Sequence, residues 1–399
     1  MRKPAGRSNA LMKLTLRLTD HRGSLFVAKL ATIAVLLSAC GSSGDRAKAG
    51  GSSTGSASPS TSTASHCVAT ATASAHAGMA PIRAEPPGPL NTSSITGKKF
   101  ALISYARKNN VVELTNAIGL QQALTVVGAT LVNFDGQGTP DVVAQDIRSA
   151  IAQHTAGIVD DGWPPSLVLA PVAAAKAANI PVVFSGAEPT APLSPGVVAN
   201  LGDNSFQEGV LQADYALAHT NCSLHAVAIY TSAGSGNTDT VTGAEGEIKK
   251  LCSTDCSLVR VNVDPATFTT AEAGQVETTL QRSPDINYVL SAADLFVPYA
   301  IQGLKAVGRH IPIIGDQGVG LAAAQGGNGE VADVQQLPGA IWGYYMADSI
   351  MRAVTGVPRN EALPVRLLDS SNWGKSADLN AQFPNYVSIQ DAFKRAWGR

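Results

Sequence analysis

Charged residues are scarce in this sequence. Asp, Glu, Lys and Arg make up 15% of the 399 residues, and the formal net charge is −1 at pH 7. A protein that binds nucleic acid needs an excess of Lys and Arg to neutralise phosphates, and this chain has no such excess. Aromatic residues are also few, at 5%, whereas hydrophobic residues reach 45%. The composition therefore disfavours a nucleic-acid partner and allows a sizeable buried core.

A hydrophobic run long enough to cross a bilayer is missing near the start of the chain. The apolar segment 30–37 is short, whereas a membrane-spanning helix takes about 20 residues. It follows residues 1–29, which are rich in Lys and Arg and contain one acid, Asp20. A basic segment followed by a short apolar run is typical of a secretory signal. We therefore predict that the protein is exported.

The apolar segment ends in Leu37-Ser38-Ala39-Cys40-Gly41, which resembles the lipobox of bacterial lipoproteins. The resemblance implies that residues 1–39 are a signal peptide. It also implies that Cys40 receives a lipid, which would anchor the protein to the outer face of the plasma membrane. A plain signal peptide with a chance cysteine is the alternative, and translation could start at Met1 or Met12.

Residues 40–96 have few large apolar side chains. They are rich in Gly, Ser, Ala and Thr, with Pro in the later part. Such a segment buries too little apolar surface to offset the entropy of ordering. We therefore expect a flexible linker between the lipid anchor and the folded body.

From Lys98 onward, short apolar runs alternate with longer helical segments. This alternation is typical of βαβ units, in which helices cover both faces of a parallel sheet. It occurs in two series, the second beginning at His225, so the sequence predicts an α/β protein with two domains. The predicted strands are 100–103, 129–133, 157–159, 180–184, 226–230, 258–263, 288–291 and 311–315, and the predicted helices are 111–127, 141–153, 167–178, 239–251, 271–281 and 296–307.

Polar side chains follow most of the predicted strands. Ligands of parallel sheets bind outside the carboxyl ends of the strands, so these residues would line a cleft between the two sheets. They are Ser104, Tyr105, Asp135, Gln137, Asp160, Asp161 and Ser185 in the first series, and Thr231, Ser232, Asp294 and Asp316 in the second.

Several segments resemble the type I periplasmic binding proteins, in particular the ribose- and galactose-binding branch. They occur in the family's order and span about residues 98–366. The segments are Ala178–Val183, Gly202-Asp203-Asn204, Ala292-Ala293-Asp294 followed by Leu304–Gly308, Ile314-Gly315-Asp316, and Gln335–Pro338.

The resemblance implies two Rossmann-like lobes with parallel sheets, joined by a three-segment hinge near Asp203, Gln336 and Arg366. Such a protein closes around a ligand that contacts both lobes, and an ABC permease in the membrane recognises the closed form. It needs neither catalysis nor a cofactor, and we expect a monomer that binds a small polar ligand, first of all a carbohydrate. The implied N-terminal lobe is 97–204 plus 336–366, and the implied C-terminal lobe is 205–335 plus 367–399.

The family's ligand positions carry over to Asn110, Asp203, Asp316 and Gln336. Carboxylates and amides suit sugars, because a hydroxyl group can donate to a carboxylate and accept from an amide. A structural role in the hinge or at a strand end is the alternative for each residue. The full set of predicted ligand residues is Tyr105, Asn110, Asp135, Asp161, Trp163, Asp203, Thr231, Phe268, Asp294, Asp316 and Gln336.

The sequence departs from the family where relatives clamp the sugar. Val111-Val112-Glu113 stands in place of an aromatic pair, and 237–241 lacks an expected Arg. Ribose itself is therefore disfavoured. Glu113 is either an exposed residue at a helix start, favoured by the helix dipole, or a contact for an amino-bearing ligand.

Other aromatic rings could replace the missing pair by stacking on a C–H face of the ligand. Trp163 follows a predicted strand and is the favoured candidate, with Tyr105 and Phe268 as further ones. Packing of the loop against the body is the alternative for Trp163.

The chain has five cysteines, and setting aside Cys40 leaves an even number, as expected for disulfides in an exported protein. In the implied architecture, Cys222, Cys252 and Cys256 lie at one edge of the second lobe, away from the cleft. We predict a Cys252–Cys256 bond, with Cys222 bonded to either of them as the alternative. Cys67 has no evident partner, and no Cys or His cluster has the spacing of a zinc site.

Motifs typical of enzymes are not found. The sequence has no nucleophile elbow, HExxH motif, P-loop or dinucleotide-binding glycine pattern, so we do not expect an enzyme. A receptor that presents a bound signal to a membrane sensor is a second possibility. Nucleosides, polyols and amino compounds are alternative ligands.

Overall fold

The computed structural model describes residues 60–108, 110–234, 236–317, 329–372 and 386–399. The predicted signal peptide and Cys40 lie outside these residues. None of the described helices is both long and apolar enough to traverse a bilayer.

Two six-stranded sheets, flanked by helices, make up the described structure. The strands are β1 Lys99–Ser104, β2 Thr130–Asp135, β3 Ile158–Asp161, β4 Val182–Ser185, β5 Val197–Asp203, β6 His225–Tyr230, β7 Ser257–Asn262, β8 Tyr288–Ser291, β9 Ile313–Asp316, β10 Glu330–Gln335, β11 Glu361–Leu363 and β12 Arg366–Asp369. The helices are α1 Ser60–Gly78, α2 Val111–Val126, α3 Pro140–Ala152, α4 Leu169–Ala177, α5 Ser205–His219, α6 Asn237–Leu251, α7 Phe268–Arg282, α8 Val297–Ala306, α9 Gly339–Val354 and α10 Tyr386–Ala396.

The first sheet has the strand order β11-β5-β4-β3-β1-β2, and all of its neighbouring strands are parallel. The second has the order β12-β10-β9-β8-β6-β7, with only β12 antiparallel to its neighbour. The prediction of an α/β protein with two parallel-sheet lobes is therefore confirmed.

Each sheet carries a hydrophobic core on both of its faces. In β1, Phe100 and Leu102 belong to one core, and Ala101 and Ile103 belong to the core on the other face. All four are fully buried, since successive side chains of a strand point to opposite faces. This double burial explains why the strands occur as continuous apolar runs in the sequence.

The chain passes between the two sheets three times. The crossings join β5 to α5, β10 to α9, and β11 to β12. Helix α9 returns to the first lobe, where it packs along α2. The first lobe thus contains β1–β5, β11, α2–α4 and α9, and the second contains β6–β10, β12 and α5–α8.

The segment 60–96 is not the flexible linker that its composition predicted. Residues Ser60–Gly78 form α1, which packs on α5 and buries Ala71 and Ala75. Cys67 forms a disulfide with Cys222 of the second lobe. Small side chains suffice here, because the alanines of α1 fit closely against a neighbouring helix and the disulfide secures the contact. The predicted Cys252–Cys256 disulfide is also present.

The C-terminal helix corrects the predicted lobe boundary. Although 367–399 was assigned to the second lobe, α10 packs on α9 of the first lobe. Phe393 and Trp397 are buried in the same core as α2 and α9, and the indole Nε1 of Trp397 donates to Asp348 Oδ1 at 2.7 Å. The apolar face of α10 is thus covered by the first lobe, although β12, the strand before it in the chain, belongs to the second lobe.

Candidate ligand-binding cleft

A polar cleft lies at the carboxyl ends of the strands, where the two lobes face each other. Its lining comes from both lobes and from the second crossing. The first lobe contributes Asn110, Val112, Glu113, Asn116, Asp161, Gly162, Gly186, Asp203 and Trp342; the second contributes Ser205, Glu208, Gly236, Asn237, Thr240, Asp316 and Gln317; the crossing contributes Gln336.

Three helices begin at this cleft and direct polar side chains into it from their first turns. On each of α2, α5 and α6, two polar lining residues are three positions apart, so they share one face of the helix. A helix N-terminus also favours negative charge, which suits the carboxylates among them. The pairs are Glu113 and Asn116, Ser205 and Glu208, and Asn237 and Thr240.

Glu113 is held in a defined position and is buried, with 4% of its surface exposed. Its Oε2 accepts a hydrogen bond from the Ala106 backbone N–H at 2.8 Å, and its Oε1 accepts one from Asn110 Nδ2 at 3.2 Å. Asn110 also caps α2, since its Oδ1 accepts from the Val112 N–H at 3.0 Å. The interpretation of Glu113 as an exposed helix-start residue is therefore wrong, because α2 begins inside the cleft.

Asp161 lies beside Glu113 on the first lobe. Asn116 Nδ2 donates to Asp161 Oδ2 at 3.2 Å. Burial raises the pKa of Asp161 to about 6, against the effect of its hydrogen bonds from Ser185 and Asn116. Burial, followed by the Asp161 charge, raises the pKa of Glu113 well above its usual value. The two carboxyl groups thus form an interacting pair.

A second group of carboxyl side chains lies next to the hinge. Asp203 Oδ1 accepts from Ser205 Oγ at 3.4 Å, Glu208 Oε1 accepts from Gln336 Nε2 at 3.5 Å, and Asp316 Oδ1 accepts from the Gln317 N–H at 2.9 Å. Burial raises the pKa of Asp203 to about 6. Burial and the Asp203 charge raise the pKa of Glu208 and of Asp316 well above their usual values.

Five of the predicted ligand residues line this cleft together: Asn110, Asp161, Asp203, Asp316 and Gln336. Three more, Tyr105, Asp135 and Phe268, line an adjoining pocket that also lies between the lobes and shares Asn110 with the cleft. Phe268 is fixed there by edge-on contacts with Phe296 and Tyr299, whose ring centroids lie 5.9 and 5.4 Å away.

Trp163, the favoured stacking ring, is not in the cleft. It has no exposed surface and packs in the core of the first lobe, 4.8 Å from the Tyr105 ring. Gly162, with φ +92°, turns the chain at this point. The loop after β3 therefore presents a glycine to the cleft, and the indole lies among apolar side chains.

Thr231 and Asp294 also lie outside the lining. Thr231 Oγ accepts from the Ala233 N–H at 3.3 Å, which stabilises the turn after β6. Asp294 Oδ1 accepts from the Asp316 N–H at 3.1 Å. Asp294 thus fixes the backbone of Asp316 without lining the cleft itself.

An aromatic ring that sequence reasoning missed lines the cleft. Trp342, in the first turn of α9, is 3% exposed, and its Nε1 donates to Ser185 Oγ at 2.8 Å. The missed polar residues share a detectable signal, namely polar pairs at i and i+3 within the first two turns of helices that follow strands. They are Asn116, Ser205, Glu208, Asn237 and Thr240.

Comparisons with known proteins agree with this architecture. A family model for the periplasmic binding protein domain matches residues 100–356. No curated protein sequence matches the chain.

Solved structures of ABC transporter solute-binding proteins share the fold. One from Agrobacterium vitis with bound allitol has 20% identity and a TM-score of 0.62, covering 70% of this chain and 97% of its own. One from Bacillus halodurans with bound myo-inositol has 16% identity and a TM-score of 0.60, with coverage of 70% and 97%. One from Mycobacterium smegmatis with bound glycerol has 19% identity and a TM-score of 0.61, with coverage of 70% and 98%. Because the family model spans most of the chain and the two sheets carry its topology, the protein belongs to the periplasmic binding protein domain family, with the type I fold.

Proposed function

We propose that the protein is an extracytoplasmic solute-binding protein that captures a small polyhydroxylated ligand and delivers it to an ABC importer. The observation that carries the proposal is the cleft, whose polar side chains come from both lobes and from the hinge. Only a closed arrangement offers all of these contacts at once, so a ligand that uses them favours closure. Allitol, myo-inositol and glycerol, each bound to a protein of this fold, support a polyol or sugar.

The chemistry of the lining suits hydroxyl groups. A hydroxyl group donates to the carboxylates of Asp161 or Asp203 and accepts from the amides of Asn237 or Gln336. The indole of Trp342 offers a flat apolar surface for the C–H face of a ring or an extended polyol. We propose that Cys40 is lipidated, which would hold the protein beside the permease on the outer face of the plasma membrane.

The proposal is tested by thermal unfolding of the Cys40→Ser protein, which lacks the predicted lipidation site, with allitol, myo-inositol, D-arabinose and D-galactose. A ligand at 100 times its Kd adds about 2.7 kcal/mol of stability. We expect at least one compound to raise Tm, and Gln336→Ala to weaken that effect. Glu277→Gln, on α7 and outside the cleft, serves as the control and should leave the ligand-induced rise in Tm unchanged. No stabilisation by any of these compounds or by their amino derivatives would contradict the proposal.

A further inference from the structure

We propose that the ligand of this cleft is a polyhydroxylated amine, and that its ammonium group is held by Glu208 together with Asp203 or Asp316. This inference rests on the proposed function and specifies the class of solute. It follows from the charge of the lining, from acceptors without donors, and from the distribution of the hydrogen bonds to the carboxyl groups.

The described lining contains five carboxyl groups and no Lys, Arg or His. The carboxyl groups are those of Glu113, Asp161, Asp203, Glu208 and Asp316, and each residue is at most 4% exposed. Lys108 is exposed and lines the adjoining pocket. Burial raises the pKa of these carboxyl groups, and a cation on the ligand would supply the positive charge that lets them ionise.

Two polar side chains that line the cleft have acceptor atoms without a hydrogen-bond donor among the described residues. They are Asp203 Oδ2 and Asn116 Oδ1, and their residues are 2% and 4% exposed. An ammonium group offers three N–H donors and no acceptor, and its hydrogen bonds to carboxylates are charge-assisted and strong. It therefore suits a lining with more acceptors than donors better than a hydroxyl group does.

The position of the ammonium follows from the distribution of donors. Both oxygens of Glu113 accept hydrogen bonds, and Asp161 accepts from Asn116 and Ser185. At the hinge, the bonds to Asp203 from Ser205 and to Glu208 from Gln336 are long, 3.4 and 3.5 Å. The other side-chain hydrogen bonds of Asp203 and Asp316 are shared with the Glu208 carboxyl group, not donated by an amide or a cation. A cation would therefore stabilise the hinge group more than the Glu113–Asp161 pair. That pair is already held by protein donors and would accept further hydrogen bonds from hydroxyl groups of the ligand.

A metal ion fits this cleft less well than an organic cation. A metal ion needs three or more ligand atoms that converge on one point, whereas an ammonium group can be held by two carboxyl groups and a neutral acceptor. Among the described residues, the acidic group whose ligand atoms converge within 4.8 Å is Asp294, Glu330 and Asp333. None of these three lines the cleft. The cleft carboxyl groups belong to a space that also holds Asn237, Thr240 and Trp342, which suits a cation with a carbon skeleton and hydroxyl groups.

The test compares matched neutral and amino compounds by isothermal titration calorimetry at pH 7.5. The probes are D-galactose with D-galactosamine, D-glucose with D-glucosamine, and myo-inositol with an inosamine, and N-acetyl-D-galactosamine controls for bulk without charge. We expect at least one amine to bind about tenfold or more tightly than its neutral counterpart, because of the charge-assisted bonds. Glu208→Gln, which keeps the shape and removes one charge, should weaken that amine about tenfold and its neutral counterpart less than about threefold. The surface variant Glu277→Gln should change neither.

Two results would overturn the inference while the solute-binding function stands. One is tighter binding of the neutral compounds than of their amines. The other is an amine affinity that Glu208→Gln leaves unchanged although circular dichroism shows the variant folded. Absence of binding by every neutral and amino compound would instead contradict the proposed function.

Discussion

At the scale of single residues, buried carboxyl groups differ in the partners that surround them. Those of the cleft accept hydrogen bonds from backbone and amide groups, whereas Glu272 in α7 does not. Glu272 has no exposed surface, and neither of its carboxyl oxygens has a hydrogen-bond partner among the described residues. Burial raises its pKa to about 9, so the folded protein keeps this group protonated at neutral pH.

Glu272 should therefore make stability depend on pH. Because its pKa is higher in the folded state than in the unfolded chain, its favourable contribution is present below about pH 4.5 and is lost as the pH rises towards 9. We expect Glu272→Gln to gain stability relative to the wild type by up to about 1.4 kcal/mol per pH unit in that window. Urea unfolding of both proteins between pH 5 and 8 measures this difference, and parallel profiles would refute the assignment.

The sequence predicted some cleft residues well and others poorly, for a physical reason. Asp203, Asp316 and Gln336 lie at strand ends or crossings, where the topology itself fixes the direction of the chain. The orientation of Trp163 depends on the turn at Gly162 and on the core beneath it, which no local pattern reveals. Glu113 was misplaced because a first-turn Glu has the same local pattern whether its helix begins in solvent or in a cleft.

At the scale of secondary-structure elements, close helix pairs position the cleft residues. In the second lobe, α5 and α6 approach so closely that a Cβ on Gly209 would lie 1.7 Å from the Thr240 carbonyl oxygen. In the first lobe, a Cβ on Gly119 of α2 would lie 2.4 Å from the Ala340 carbonyl oxygen of α9. Glycine at these contacts thus lets the first turns of four helices meet around the ligand space.

Gly209→Ala should disturb both stability and binding. The added methyl group must push α5 away from α6, at a cost of about 1–3 kcal/mol typical of overpacking, and it would displace Ser205, Glu208 and Thr240. We expect a lower urea midpoint and a weaker affinity for the best ligand of the calorimetric panel. Gly274→Ala in α7 is the control, since its Cβ meets nothing within 4 Å, and it should stabilise the helix by about 0.5–1 kcal/mol. Equal effects of the two substitutions would contradict the role given to the helix contact.

The sequence predicted most strands and helices because buried parallel strands form short continuous apolar runs that alternate with longer helical segments. It failed for α1, whose Ala, Ser and Thr side chains look like linker composition although a disulfide and α5 secure the helix. It also failed for the lobe of α10. The apolar spacing of Phe393 and Trp397 indicates that this helix packs, but not on which lobe it packs.

At the scale of the whole molecule, the two lobes are linked by more than the three crossings. The C-terminal helix leaves β12 of the second lobe and packs on the first, and the segment after α1 leads from the second lobe to β1 of the first. Its backbone contacts α9, since Tyr345 Oη donates to the Glu85 carbonyl at 2.6 Å and Arg352 donates to the Gly88 carbonyl at 2.7 Å. The residues of these contacts do not line the cleft, so they leave the ligand space open.

The central claim is that a small solute joins the two lobes across the acidic cleft. Small-angle X-ray scattering of the Cys40→Ser protein, with and without a saturating amount of the tightest binder of the calorimetric panel, tests it most directly. The account predicts a smaller radius of gyration with the ligand, and the same change in a Glu208→Gln variant only at a ligand concentration about tenfold higher. A ligand that binds tightly to the wild-type protein and leaves its radius of gyration and scattering profile unchanged would contradict closure as the mode of capture.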